Sequence, residues 1–155
     1  MSLNFNQKFT LFLIRLGMGS LMLYAGVIKI LDPSWTAKGY IEQSKVLPQF
    51  YSLLLQPDIL PYVDIANKWG LALIGGALII GFATRFAAFW GLILMILYYL
   101  PIYPPKNGLV DDHAIYALLF LLLITFAAGR IGGIDAFLEK SKFTRRHPWM
   151  GRLLG

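Results

Sequence analysis

Apolar residues along this chain fall into four long blocks, separated by short stretches that hold most of its charge and proline. The first block runs from Phe9 to Leu31, 23 residues, or about 34 Å as a helix, enough to cross a hydrocarbon core of about 30 Å. The second covers 60–82 and the third 86–103. The fourth, 113–129, is the shortest, but its stretch 114–128 carries no charge. Runs this long and uninterrupted predict spanning helices rather than barrel strands, because a helix satisfies its own backbone polar groups. Residues 81–85, Gly-Phe-Ala-Thr-Arg, read as a tight turn between spans two and three. Pro101, Pro104 and Pro105, followed by Asn107-Gly108, end span three and turn into span four. The first block is too long for a cleaved signal peptide, is interrupted by Arg15 and lacks a clean small-residue cleavage site, so it reads as a retained span.

The stretch 32–57 breaks the pattern. It mixes Trp35, Tyr40, Phe50 and Tyr51 with Lys38, Glu42 and Lys45, and ends in Leu53-Leu54-Leu55. Aromatics with polar tips suit the headgroup zone of a bilayer, which predicts one or two short interfacial helices. A covering loop that seals the bundle is the other reading of the same residues. The expected fold is therefore all-α: an integral membrane four-helix bundle over 1–138, with short interfacial helices between spans one and two and a basic tail over 139–155.

Composition supports a lipid solvent. The 155 residues are 57% hydrophobic and 14% charged, where soluble domains carry about 25% charge. A net charge of +6 raises the question of nucleic acid, and the placement of the charges answers it. Nine basic residues (Lys8, Arg15, Arg85, Arg130, Lys140, Lys142, Arg145, Arg146, Arg152) and two acidic ones, Asp135 and Glu139, fall on the side of the termini, a balance of +7. The opposite side holds Lys29, Lys38, Lys45, Lys68 and Lys106 against Asp32, Glu42, Asp58, Asp64, Asp111 and Asp112, a balance of −1. The positive-inside rule then places both termini in the cytoplasm of a bacterial or archaeal cell, with the tail as an anchor to anionic lipid and no nucleic-acid partner. Zero cysteines exclude disulfides, thiolate metal sites and dithiol redox motifs. His113 and His147 fall on opposite sides, so they cannot jointly hold a haem, and no metal centre is expected.

Several polar groups stand where lipid should make them costly. Arg15, Gly19, Met22, Gly26 and Lys29 share one face of span one, at spacings of 4, 3, 4 and 3. Glycines there, and the Ala72-x-x-x-Gly76 pair of span two, allow close helix approach. Arg15 and Lys29 either face the bundle or snorkel to the interface. In the outer half, Lys29 lies level with Asp64, Asn67, Lys68 and Trp69 of span two. Tyr98, Tyr99 and Tyr103 of span three, and Asp111, Asp112, His113 and Tyr116 at the start of span four, share that depth. Asp64 and Lys68 stand at i, i+4 and are placed to pair. Helix capping explains one of the two aspartates without function. The functional reading is a polar pocket ringed by aromatics, suited to a flat oxygenated ring such as a quinone or to a small anion.

Three passages resemble the DoxD/DoxX family of four-span membrane proteins: Tyr-Ala-Gly-Val-Ile-Lys-Ile-Leu-Asp-Pro-Ser-Trp (24–35) with its continuation to Tyr40, Trp-Gly-Leu-Ala through Ala-Thr-Arg (69–85), and Leu-Val-Asp-Asp-His-Ala-Ile-Tyr (109–116) with Ala-Gly-Arg-Ile-Gly-Gly-Ile-Asp (128–135). The Asp-Pro-Ser-Trp and Asp-Asp-His segments look closer to DoxD. The resemblance implies a membrane subunit of a quinone-linked oxidoreductase, as in thiosulfate:quinone oxidoreductase, working with at least one partner subunit. It matches the family at Lys29, Trp35, Trp69, Arg85, Asp112 and His113. The expected site is His113, oriented by Asp112, as proton carrier, with Lys29, Trp35, Asn67, Trp69 and Tyr116 holding a quinone. One departure stands out: Leu71 occupies the position where the family commonly has a glutamate. A non-catalytic structural subunit of a larger respiratory or photosynthetic complex is the alternative that this departure favours.

Overall fold

The computed structural model describes residues 3–105, 108, 110–141, 144 and 146–155. Lys106, Asn107, Leu109, Lys142 and Arg145, used above in the charge, turn and resemblance readings, lie outside them. Among the described residues all regular structure is helical. The long helices are α1 (Phe5–Leu31), α4 (Leu60–Ile80), α5 (Thr84–Tyr99) and α6 (Asp112–Thr125). Between α1 and α4 lie two short helices, α2 (Lys38–Ile41) and α3 (Pro48–Leu54), and α7 (Asp135–Leu138) follows α6. Chain direction alternates through α1, α4, α5 and α6. The upper end of the bundle carries α2 and α3, and the lower end carries the start of α1, α7 and Gly155.

Three segments, Phe5–Leu31, Leu60–Ile80 and Thr84–Ile102, are long and apolar enough to cross a membrane. The third gains its length from a 3₁₀ turn, Leu100–Ile102, around Pro101. The fourth is shorter than the apolar run suggests. Its α-helix stops at Thr125, about 21 Å long, and a 3₁₀ turn, Ala128–Arg130, continues the descent after Ala127 enters the left-handed region at φ 51°.

Small residues decide which helices touch. The face of α1 expected to be interior is interior: Leu11, Arg15, Met18, Gly19, Met22 and Gly26 are buried. A Cβ on Gly26 would stand 2.4 Å from the Ala72 backbone nitrogen, and one on Gly75 would stand 2.2 Å from that of Leu23. The α1–α4 contact is thus built from Gly26, Ala72 and Gly75. Gly76, expected in that role, faces open space instead. Helix α5 packs mainly on α6, where Phe120 fills the notch above Gly91. The core joins Met18, Met22, Leu71, Leu78, Met95, Phe120 and Leu123. The stretch between spans one and two contains both elements considered for it. Helices α2 and α3 form a second small core around Ala37, Ile41 and Tyr51, and this core closes over the upper end of α4 and α5.

Candidate functional site

Lys29 is the centre of the upper end. Its ammonium donates to Asn67 Oδ1 at 3.2 Å and to the Tyr98 hydroxyl at 3.2 Å, and lies 4.7 Å from the Trp35 ring centroid. The contacts come from three separate segments, so the charge is held inside the bundle rather than snorkelled into headgroups. Lys68 approaches the Trp35 ring at 5.4 Å, which sets the indole among two cations. Asp64 does not pair with Lys68 as expected. Its carboxylate accepts from the Ala37 amide at 2.8 Å, a cap that ties α2 to α4 and leaves Lys68 to the indole.

His113 closes the other side of this site. Its Nδ1 donates to Asp111 Oδ2 at 2.7 Å, and its ring stands edge-on to Tyr98, with centroids 5.6 Å apart. The expected partner was Asp112, but Asp112 is exposed in the first turn of α6. Asp111 has extended backbone, φ −113° and ψ −177°, and is the N-cap, with Oδ1 accepting from Ala114 at 3.0 Å. One carboxylate therefore caps the helix and orients the imidazole. Burial by itself pushes the Asp111 carboxyl up, but the hydrogen bonds from His113 and the Ala114 amide outweigh it and hold it below the ordinary value. Tyr40 donates to the Tyr98 carbonyl at 2.5 Å. Burial, reinforced by the Asp111 charge, pushes the Tyr40 hydroxyl up to about 12, so it remains a donor at neutral pH.

Two cavities meet at these residues. A groove of about 1130 Å³ runs between α4 and α5, from Lys29, Trp35, Asn67, Tyr98 and His113 at the top to Ile80, Phe82 and Phe86 at the bottom. A small cavity of about 170 Å³ lies behind, bounded by Met22, Leu71, Met95 and Tyr116, and it shares Lys29, Tyr98 and His113 with the groove. Of the expected site residues, Lys29, Trp35, Asn67 and His113 border the groove and Tyr116 the small cavity. Trp69 borders neither and is 53% exposed on the outside of α4. Sequence reading overlooked the Tyr40 hydroxyl and undervalued Tyr98, whose position one helical turn from Leu94 and two from Gly91 on α5 was the available signal.

The lower end holds a second polar cluster of different character. Arg15 has no exposed surface, and its guanidinium donates to the carbonyls of Ala128 (2.8 Å), Ile131 (3.0 Å) and Gly132 (3.2 Å). Asp135, also fully buried, accepts from the amides of Ala83 (2.7 Å), Thr84 (2.9 Å) and Gly155 (3.1 Å). These two side chains staple the end of α6 to α1 and cap α5. Gly81 at φ 69° permits the turn and brings its backbone against Gly133 and the Arg15 guanidinium. Arg85, which donates to the Ile124 carbonyl at 3.2 Å, and Arg130, paired with Glu139 at 2.7 Å, also belong to this end, away from the groove head.

The upper site therefore gathers hydrogen-bonding groups and aromatic faces around a cavity, while the lower cluster is devoted to holding helices together. In comparisons with known proteins, no curated protein and no solved structure matches. The DoxX family model matches residues 10–103, from α1 through α5 and the 3₁₀ turn that follows it, and stops before the Asp111–His113 passage. That match takes in more than half of the sequence, including the Lys29, Trp35, Asn67 and Tyr98 side of the site, and on it the chain belongs to the DoxX family.

Proposed function

We propose that this membrane protein is the quinone-handling subunit of an oxidoreductase, of the kind represented by the DoxD subunit of thiosulfate:quinone oxidoreductase. One observation carries the reading: a polar, aromatic head site opens directly into an apolar groove that follows the helices downward. That combination fits an amphiphile with a flat oxygenated head and a hydrocarbon tail. The donor set suits such a head. Lys29 and Tyr98 offer N–H and O–H groups to ring oxygens, Trp35 and Tyr40 offer aromatic walls, and His113 stands beside them. A quinone held there supplies an acceptor for two electrons and two protons. Lys29 then places fixed positive charge where negative charge would develop. His113, with Nδ1 committed to Asp111, turns its second ring nitrogen to the ring oxygens as the group that would pass a proton.

The chain has no cysteine, and its connections at the upper end are short, so oxidation of a sulfur anion is assigned to at least one partner subunit. The test is binding by the purified full chain of a short-tailed quinone analogue, followed by calorimetry. Lys29→Met and His113→Ala are each expected to weaken binding about tenfold, equivalent to about 1.4 kcal/mol. Wild-type affinity in both variants would overturn the head site. A second reading has its own observation. Leu71, 1% exposed, faces the small cavity beside Lys29 and His113, so an apolar side chain stands where the family commonly has a carboxylate. This favours a structural subunit of a larger complex, and co-purification in a large assembly with no quinone bound would support it.

A further inference from the structure

The upper end of α5 is left with two carbonyls that its own helix does not bond, and tyrosines take both. In an α-helix the amide of residue 101 would donate to the Leu97 carbonyl, but Pro101 has no N–H. The turn that follows, Leu100–Ile102, is 3₁₀, and its amides reach back three residues instead of four, which leaves the Tyr98 carbonyl as well. The Tyr51 hydroxyl donates to the Leu97 carbonyl at 3.0 Å, and the Tyr40 hydroxyl donates to the Tyr98 carbonyl at 2.5 Å. Tyr40 belongs to α2 and Tyr51 to α3. The break that Pro101 makes in α5 is thus the place where the segment between α1 and α4 docks.

That segment also carries walls of the head site. Trp35 lies over the Lys29 ammonium, and the Tyr40 ring is centred 6.4 Å from that of His113. Its packing on the bundle is slight: between Asp32 and Ile59 only Ala37, Ile41 and Tyr51 are buried. Elements that bury so little are the ones that open first in a fold. The turn into α3 holds Leu47 at φ 52°, in the left-handed region, so the closed arrangement is kept against a local backbone preference.

We propose that α2 and α3 form a lid over the head site, latched by Tyr40 and Tyr51 on the carbonyls that the break at Pro101 frees, and that its opening admits water from the upper end to Lys29 and His113. The inference rests on the head-site reading above and adds its regulation: the groove serves the bilayer side of the site and the lid serves the aqueous side. When the lid lifts, Trp35 and Tyr40 leave with it, so the aromatic walls and the exclusion of water are lost in one motion. A ring held at the head touches both walls and keeps the lid down. Tyr51 is a positioning residue, because its hydroxyl is committed to Leu97.

The experiment is hydrogen–deuterium exchange of the full chain in nanodiscs, read by mass spectrometry, for wild type, Tyr51→Phe, Pro101→Ala and the double variant. Tyr51→Phe keeps the ring and removes the latch. Pro101→Ala gives α5 the missing amide, which competes with the Tyr51 hydroxyl for the Leu97 carbonyl. The amides of Tyr40, Ile41 and Glu42 bond within the lid, so their exchange reports its opening. Each single variant is expected to speed exchange over 37–42 and 50–55 about fivefold. The double variant should go no further than either single, and 15–26 of α1 should exchange as in wild type. A short-tailed quinone analogue added to wild type should slow exchange over 37–42. Wild-type exchange in Tyr51→Phe would overturn the latch. Multiplied effects in the double variant would show that Pro101 and Tyr51 act on different bonds, and would overturn the proposal. Faster exchange over 15–26 as well would make Tyr51 a residue that holds the whole fold, and would overturn it too. Calorimetric binding of the analogue with no slowing over 37–42 would remove the lid from the head site and leave the head site standing. No binding at all would overturn the head-site reading, while the ligand-free comparison decides the latch by itself.

Discussion

At the level of single residues, the upper site turns on which of two adjacent aspartates holds the imidazole. Asp111 does, through the same carboxylate that caps α6, and Asp112 stands in the open. Because its carboxyl is held below the ordinary value, the folded state binds this proton less tightly than the unfolded chain. Its contribution is present above the ordinary carboxylate range and disappears as pH falls through the lowered value. Thermal unfolding in detergent, followed from neutral pH down to about pH 3, should therefore lose stability on acidification. Part of that loss should vanish in Asp111→Asn and persist in Asp112→Asn. Equal profiles for the two variants would show that the Asp111–His113 bond contributes nothing to it. The ambiguity has a physical origin. Successive helix positions differ by about 100° around the axis, and the choice of cap is made by the backbone of residue 111, a property that neither aspartate advertises.

At the level of helices, what lipid demands was the most legible. Four apolar runs mark four long helices, three of them long and apolar enough to cross a membrane, because a backbone in hydrocarbon must bond to itself, and the repeat of Arg15, Gly19, Met22 and Gly26 identifies the buried face of α1. The partner face was harder to read. Gly75 and Gly76 are neighbours in sequence, and only the rotation of α4 sends one into α1 and the other toward the groove. The groove itself had no signature, since a void is the absence of a contact. Asp135 figured in the sequence only as one more charge on the side of the termini, because its three amide donors are contributed by residues outside its own segment. The energetic weight of the lower end can be measured at Arg15. Arg15→Met strips three carbonyls of a charged donor in a buried site and should cost about 3 kcal/mol or more. Arg15→Lys should recover only a fraction, because one ammonium cannot match the fork that reaches Ala128, Ile131 and Gly132. A melting temperature in Arg15→Met equal to wild type would show that water or lipid replaces the guanidinium without loss.

For the whole molecule, charge and architecture agree on a polarity. The lower end gathers Arg15, Arg85 and Arg130, and the positive-inside rule predicts that it faces the cytoplasm. The native chain lacks cysteine, so single cysteines at the exposed positions Lys45 and Arg146 offer a direct check in intact cells. An impermeant thiol reagent should label Lys45→Cys and spare Arg146→Cys, and the reverse result would invert the topology. The same polarity has a mechanical side. Asp135, Arg15 and the turn at Gly81 pin α4 and α5 together directly at one end, while their opposite ends are joined through α2 and α3, where Ala37 donates to Asp64 and Tyr40 and Tyr51 donate to the carbonyls of Tyr98 and Leu97. A pair of rods fastened directly at one end and through a third body at the other has its longest lever arm, measured from the turn, at Asn67 and Tyr98, the two side chains that share the Lys29 ammonium. Whatever holds those two side chains in place is therefore the cover itself: the small core around Ala37, Ile41 and Tyr51 sets the spacing of α4 and α5 at the height of Lys29.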